Sequence, residues 1–222
     1  MTSRPFAFST PVIRLSLTTA AALALIALAA LPMREDLYLG IAGTASDSSL
    51  LHGPAGAVAA RGLLLLVVLA AIAAVWSGLR DRAAFWRLAT GGIGVVGAYL
   101  LSEVIELMVT EERPCRVLDV DTIMSCPEVG DWSWPSNHSV IAAAFATACI
   151  IALPRAAWFA VPMAVLIAFS RVAAGVHYVH DVASGLALGT AVVALVVVVL
   201  QPVAHRLPRS LATTHPVAHL RP

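Results

Sequence analysis

The sequence has 222 residues, of which 59% are hydrophobic and only 12% are charged, and its formal net charge is +1. An average soluble domain is about 25% charged, so this composition argues against a soluble globular protein. All 14 basic residues are arginine, and they form no basic run that would indicate nucleic-acid binding.

Long apolar stretches occupy most of the chain, and each is predicted to be a transmembrane helix. In chain order, the six stretches are Leu15–Met33, Gly62–Leu79, Leu88–Thr110, His138–Leu153, Ala156–Ser170 and Val182–Gln201. We therefore expect one all-α integral membrane domain over residues 1–222. The first stretch also allows a signal peptide, but its apolar core is long for one and no convincing small-residue cleavage site follows it.

The distribution of arginine predicts the orientation in the membrane. Six spans place both termini on the same side, which carries nine arginines against five on the other side. Positive residues concentrate on the cytoplasmic side, so the termini are predicted to be cytoplasmic. The connections at 34–61, 111–137 and 171–181 then lie on the extracytoplasmic side.

Ionisable residues concentrate at the membrane edges in the last two of these connections. They lie in Glu112-Arg113-Pro114, in Pro135-Ser136-Asn137-His138, and in Ser170-Arg171 with His177 and Asp181. Such groups are costly at a membrane edge unless they are paired or functional. Two guanidinium groups facing one pocket suit an oxyanion, and phosphate in particular, so the predicted substrate is a phosphate ester.

The spacing of the histidines suggests how the ester is cleaved. If the sixth helix begins near His177, Asp181 shares its face and can hold one imidazole nitrogen, which leaves the other free to attack phosphorus. His138 lies at the start of the fourth helix, where the backbone N–H groups of Ser136 and Asn137 favour phosphate oxygens. As an imidazolium it would protonate the leaving alkoxide, and as a neutral imidazole it would activate water.

These residues resemble the motifs of the type 2 phosphatidic acid phosphatases, which share a core with vanadium-dependent haloperoxidases and bacterial acid phosphatases. The family motifs are K-x6-R-P, P-S-G-H and S-R-x5-H-x3-D. Here the third is intact, the second has Asn137 in place of glycine, and the first keeps Arg113-Pro114 but has Glu106 in place of lysine. The resemblance covers residues 88–201, and the motif positions fall within 106–181.

The resemblance implies a role for each matching position. It makes His177 the nucleophile, His138 the acid and base, and Asp181 the group that orients the nucleophile, with phosphate bound by Arg113, Arg171, Ser136 and Asn137. It also implies an all-α membrane fold and a phosphohistidine intermediate.

The two departures from the motifs have different consequences. Asparagine tolerates a left-handed backbone nearly as well as glycine, so we expect Asn137 to keep the phosphate-binding turn. Glu106 puts an anion where the family has a cation, which repels phosphate unless the carboxyl is protonated or paired. Glu106 and the nearby Glu103 face the same way, and Glu106 either accepts hydrogen bonds from the sugar of a glycosyl phosphate or holds Arg113. The sequence favours neither reading.

His180 opens an alternative that involves a metal. His177, His180 and Asp181 together form H-x-x-H-D, which on a helix can bind a divalent cation. The longer motif already uses His177 and Asp181 without metal, so we predict a metal-independent enzyme with no cofactor.

The cysteines of the predicted extracytoplasmic loop suggest a disulfide. Cys115 and Cys126 are eleven positions apart, and an oxidising compartment permits them to close a small loop. This disulfide would steady Arg113.

The sequence thus predicts a six-helix lipid phosphatase in a bacterial plasma membrane. The fourth and fifth spans have only about 16 apolar residues, roughly 24 Å of helix, which places the site below the outer interface within reach of a lipid phosphate or diphosphate. One alternative is a lipid phosphotransferase that uses the same site. Another is a catalytically degenerate protein that binds a phospholipid or polyprenyl phosphate. The sequence makes no prediction of oligomeric state.

Overall fold

A computed structural model describes residues 8–204, and all regular secondary structure in this part of the chain is helical. The helices are α1 Thr10–Ala30, α2 Arg34–Asp47, α3 Ser49–Arg80, α4 Arg82–Val109, α5 Pro114–Val117, α6 Asn137–Ala152, α7 Ala157–Ala173 and α8 Val179–Ala204. The predicted all-α class is confirmed for these residues. Four arginines used to predict the orientation lie outside the described residues: Arg4, Arg206, Arg209 and Arg221.

Within the described residues, five helical segments are long and apolar enough to cross a membrane. They are Thr10–Asp47, Ser49–Arg80, Arg82–Val117, Pro154–Ala173 and Val179–Val203. The remaining predicted span, the fourth, corresponds to α6, which has 16 residues and so measures about 24 Å against a hydrocarbon core of about 30 Å. The count of six spans therefore remains a prediction.

The segment at 34–61, predicted to be a connection, is instead helical in α2 and in the first part of α3. Its polar residues lower the mean hydropathy, which hid the helix from a search for apolar stretches. Glu35 and Asp36 lie in the first turn of α2, where acidic side chains interact favourably with the helix dipole. The alanines between 55 and 60 are strong helix formers.

Helices α6 and α8 pack closely at the centre of the fold through small residues. A Cβ atom added to Gly189 would lie 2.2 Å from the carbonyl oxygen of Val140, and one added to Gly185 would lie 2.6 Å from that of Ser136. Glycine is needed at both positions because backbones this close leave no room for a side chain. This packing brings the start of α6, with His138, beside the start of α8, with Asp181.

The connection between α4 and α6 folds back over the ends of these helices. Thr110 ends α4 in a left-handed conformation with a φ of 50°. Cys115 and Cys126 form a disulfide, which confirms the predicted pairing. The N–H group of Ser133 donates to the carbonyl oxygen of Glu111 at 2.8 Å. These contacts fix the path of the loop that carries Arg113 and Asp131.

Candidate active site

Residues from three helices, α4, α6 and α7, and from the two loops α4–α6 and α7–α8 line one cavity of about 480 Å³. Six of the eight predicted site residues lie in its wall: Glu106, Arg113, Asn137, His138, Arg171 and His177. Asp181 lies behind His177, and Ser136 is fully buried in the packing of α6 against α8. The structure therefore brings together residues from all three motifs.

His177 lies in a turn between α7 and α8 and is 1% exposed. Gly175 makes this turn possible, since its φ of +83° is in the region that favours glycine. The Nε2 atom of His177 is 2.8 Å from Nη1 of Arg113, and its Nδ1 atom is 3.0 Å from the carbonyl oxygen of Ser133. Guanidinium nitrogens only donate, so Nε2 is the acceptor and Nδ1 carries the proton. The nitrogen with the lone pair, Nε2, is therefore the one that lies beside Arg113.

Asp181 supports His177 less directly than predicted. Its Oδ2 atom is 3.4 Å from Nδ1 of His177, longer than a normal hydrogen bond. The same oxygen accepts from Oγ of Ser133 at 2.5 Å and from the backbone N–H of Tyr178 at 2.7 Å. The expected contact between Asp181 and His177 is thus formed but long, because α8 begins at Val179 and His177 lies in the preceding turn beside the carbonyl of Ser133.

The surroundings of His177 keep its imidazole neutral. Burial lowers the pKa of His177 well below its ordinary value, and the positive charges of Arg113 and Arg171 lower it further. A neutral ring has the free lone pair that nucleophilic attack requires.

We expect His177 to remain neutral when the pH falls below about 6.5, the ordinary histidine pKa. The unfolded chain then binds a proton that the folded protein does not, so this group makes folding stability decrease as the pH falls through that value. Histidine-selective NMR between about pH 5 and pH 8 checks this, with the signal assigned by its loss in His177→Gln. A titration midpoint at the ordinary value would contradict it.

Arg113 is held by Asp131, a residue that the sequence analysis missed. Nη2 of Arg113 is 2.7 Å from Oδ1 of Asp131, and Nε donates to the carbonyl oxygen of Asp131 at 2.8 Å. Nη1 also donates to the carbonyl oxygen of Val176 at 2.9 Å. Among the described residues, Glu106 forms no ion pair with Arg113, so the alternative in which Glu106 holds this arginine is wrong.

Arg171 is 4% exposed and has no carboxylate within ion-pair distance among the described residues. Its Nη1 atom is 3.4 Å from the carbonyl oxygen of Ala59 and 3.4 Å from the sulfur of Met124, and its Nε has no hydrogen-bond partner. A buried cation without a counter-ion is costly. Arg171 lies in the cavity wall and therefore provides positive charge for an anion in the cavity.

The start of α6 differs from the prediction in two respects. Asn137 is the first residue of the helix and has no left-handed backbone, so its tolerance of that conformation is not used. The N–H of Ser136, expected to face phosphate, donates to the carbonyl oxygen of Asp181 at 3.2 Å. The cause is the close packing of α6 on α8, which turns this backbone group toward α8.

One side of the cavity is acidic and belongs to α4. Tyr99, Glu103 and Glu106 all lie in the cavity wall. The side-chain amide of Asn137 donates to Oε1 of Glu103 at 2.7 Å. Glu106 is 8% exposed, and its carboxylate forms no hydrogen bond or ion pair with any described residue. The cavity thus combines cations beside His177 with hydrogen-bond acceptors on α4.

A separate group of possible metal ligands lies behind the cavity. Glu111, His180 and Asp181 each place one ligand-type atom within 4.8 Å of the others. His177 is not part of this group, because its two ring nitrogens face Arg113 and Ser133. The metal site with both histidines that H-x-x-H-D suggested is therefore not formed.

The chain is similar in sequence to known proteins of one family. Residues 87–204 match the family model of the PAP2 superfamily. Over 167 residues the chain is 33% identical to decaprenylphosphoryl-5-phosphoribose phosphatase of Mycobacterium tuberculosis, covering 68% of this chain and 85% of that protein. Over 170 residues it is 28% identical to an undecaprenyl-diphosphatase of Bacillus subtilis, covering 74% and 80%.

Two further similarities are more limited. An undecaprenyl-diphosphatase of Sulfolobus acidocaldarius is 32% identical over 99 residues, so the chain spans about half of that relative, 48% of its length. The fold is similar to the crystal structure of a transmembrane PAP2-type phosphatidylglycerolphosphate phosphatase from Bacillus subtilis, with a TM-score of 0.59 and 22% identity. That match covers 92% of this chain and 99% of the other, and it shows a shared membrane fold.

Proposed function

Since the chain belongs to the PAP2 superfamily, we propose that it is a membrane lipid phosphatase that acts through a phosphohistidine on Nε2 of His177. The observation that carries this proposal is the arrangement of His177, His138, Arg113 and Arg171 around one cavity of about 480 Å³. A nucleophile, a second imidazole and two cations are the groups that hydrolysis of a phosphate ester requires.

In the first step, Arg113 and Arg171 bind the phosphate oxygens, and the lone pair of Nε2 of His177 attacks phosphorus. The bond from phosphorus to the leaving oxygen breaks, and its electron pair goes to that oxygen, which takes a proton from the imidazolium of His138. The N–H group at Nδ1 of His177 continues to donate its hydrogen bond to the carbonyl oxygen of Ser133. Asp181 offsets the positive charge of the phosphorylated ring.

In the second step, neutral His138 takes a proton from a water molecule whose oxygen attacks phosphorus. The bond between phosphorus and Nε2 breaks, and its electron pair returns to the ring of His177. Phosphate leaves and the enzyme regains its initial protonation state. No step needs a metal or another cofactor.

The site is proposed to face the extracytoplasmic side, with both termini cytoplasmic. The arginine distribution supports this orientation, and the Cys115–Cys126 disulfide suits an oxidising compartment. The start of the short helix α6 lines the cavity, which suits a lipid that presents its phosphate while its tail stays in the bilayer.

The substrate class we favour is a polyprenyl lipid with a glycosyl phosphate headgroup. The cavity offers the carboxylates of Glu103 and Glu106 and the hydroxyl of Tyr99 in addition to its two arginines. Hydroxyl groups of a sugar suit these polar groups, and a phosphate suits the arginines. The relative from Mycobacterium tuberculosis, whose name describes a prenyl phosphoribose substrate, supports this choice.

Phosphate release from a panel of pure lipids tests the proposal. The panel contains phosphatidate, phosphatidylglycerol phosphate, a polyprenyl diphosphate and a polyprenylphosphoryl phosphoribose, each assayed with and without EDTA. We expect turnover to water, fastest for the phosphoribose lipid and unaffected by EDTA. Turnover that needs an acceptor lipid would indicate a phosphotransferase, and no turnover would indicate a lipid-binding protein.

A further inference from the structure

Asp181 contacts two imidazoles, and only one of them belongs to the reaction described above. Its Oδ2 atom faces His177, while its Oδ1 atom is 3.1 Å from Nε2 of His180. Oδ1 forms no hydrogen bond of normal geometry with any described residue, His180 included, so its 3.1 Å approach to Nε2 is a polar contact rather than a hydrogen bond. Asp181 is fully buried and His180 is 3% exposed, so this contact is shielded from solvent.

His180 is itself held by a chain of contacts that leads away from the cavity. The same Nε2 atom is 3.2 Å from Oε2 of Glu111, and Oε1 of Glu111 accepts from Nη1 of Arg34 on α2 at 3.0 Å. The ring of His180 stacks on the ring of Tyr178 with centroids 5.4 Å apart. The guanidinium of Arg34 lies 5.5 Å from the centroid of the Tyr178 ring. These contacts leave His180 little freedom to move.

We infer that His180, held by Glu111 and Arg34, is a positioning residue for Asp181. A buried carboxylate with one unpartnered oxygen can rotate, and its negative charge is poorly compensated. The Nε2 edge of the buried His180 ring lies 3.1 Å from that oxygen, restricts its movement and so keeps Oδ2 beside Nδ1 of His177. The effect on catalysis rests on the proposed function, since Asp181 acts there by stabilising the charge of the phosphorylated ring.

The consequence is specific to the chemical step. His180 and Glu111 do not lie in the wall of the catalytic cavity, so their loss leaves the phosphate-binding arginines in place. A displaced Asp181 stabilises the phosphohistidine and its transition states less well. Turnover therefore slows while substrate binding changes little.

The test compares His180→Phe, which removes the donor but keeps an aromatic ring against Tyr178, with His180→Gln, which restores an N–H near the position of Nε2. We expect His180→Phe to lower kcat about tenfold, equivalent to about 1.4 kcal/mol, with KM changed less than twofold. His180→Gln is expected to recover most of the loss. Because Glu111 acts through His180, Glu111→Gln combined with His180→Phe should be no slower than His180→Phe alone.

Exposed His52 on α3 provides a matched control, and His52→Phe should leave kcat unchanged. Thermal unfolding in detergent and metal analysis are measured on the same proteins. An unchanged kcat in His180→Phe would overturn the inference, as would equal losses in both His180 variants with lowered stability. A bound divalent cation that restores activity and is lost in His180→Phe would replace it with a metal site. Absence of turnover in the wild-type protein would instead overturn the proposed function, and this inference with it.

Discussion

Replacement of His177 by alanine is expected to abolish the phosphoenzyme and to lower kcat by about a thousandfold or more. The reason is that Nε2 of His177 lies 2.8 Å from Nη1 of Arg113 and accepts a hydrogen bond from it. No other buried imidazole nitrogen in the described residues has such a contact with a cavity arginine. The remaining arginines still bind phosphate, so KM should change much less than kcat. The measurement is rapid quenching with a radiolabelled lipid phosphate, followed by detection of acid-labile label on the protein.

His138→Ala supplies the informative comparison for this experiment. His138 lines the same cavity but is proposed to transfer protons, so its variant should still become labelled, only slowly, and should release the label slowly. His52→Ala controls for the general loss of an imidazole. Label that persists on His177→Ala would assign the nucleophile to another histidine and would contradict the proposed mechanism.

The sequence was sufficient to predict six of the residues that face the cavity. The motifs fix residue type and spacing near the ends of helices, and helix ends that pack together bring these side chains into one place. His177 and Arg113 are 64 residues apart, yet both were found because each belongs to a motif. The all-α class followed from apolar stretches in the same direct way.

The supporting residues could not be predicted in this way. Asp131 contacts Arg113 across 18 residues, Ser133 contacts His177 across 44, and Glu111 contacts His180 across 69. All three supporting residues lie in the connection between α4 and α6, whose path depends on tertiary contacts rather than on a periodic pattern. A loop of this kind leaves no local signal of which polar residue will meet which motif. For the same reason, the sequence left open whether Glu106 holds Arg113 or accepts hydrogen bonds from a sugar.

Glu106 is the position where the first motif is contradicted, and its substitution tests the substrate class. Because Asp131 already pairs with Arg113, the remaining reading is that the Glu106 carboxylate accepts hydrogen bonds from headgroup hydroxyls. We expect Glu106→Gln to lower kcat/KM for a polyprenylphosphoryl phosphoribose about tenfold, since an amide offers a weaker acceptor than a carboxylate. The rate for a polyprenyl phosphate without a sugar should change less than about threefold.

Glu106→Lys is expected to have the larger effect, a loss of about a hundredfold on the glycosylated lipid, because the acceptor is replaced by a cation near Arg113. The same lysine adds positive charge near the phosphate, so turnover of phosphatidate or a diphosphate should be maintained or increased. Exposed Glu128, outside the cavity, provides matched controls, since Glu128→Gln and Glu128→Lys make the same charge changes and should leave both rates unaltered. If Glu106→Gln kept wild-type rates and selectivity across the lipid panel, the carboxylate would have no specific role, and the preference for a sugar headgroup would lose its structural basis.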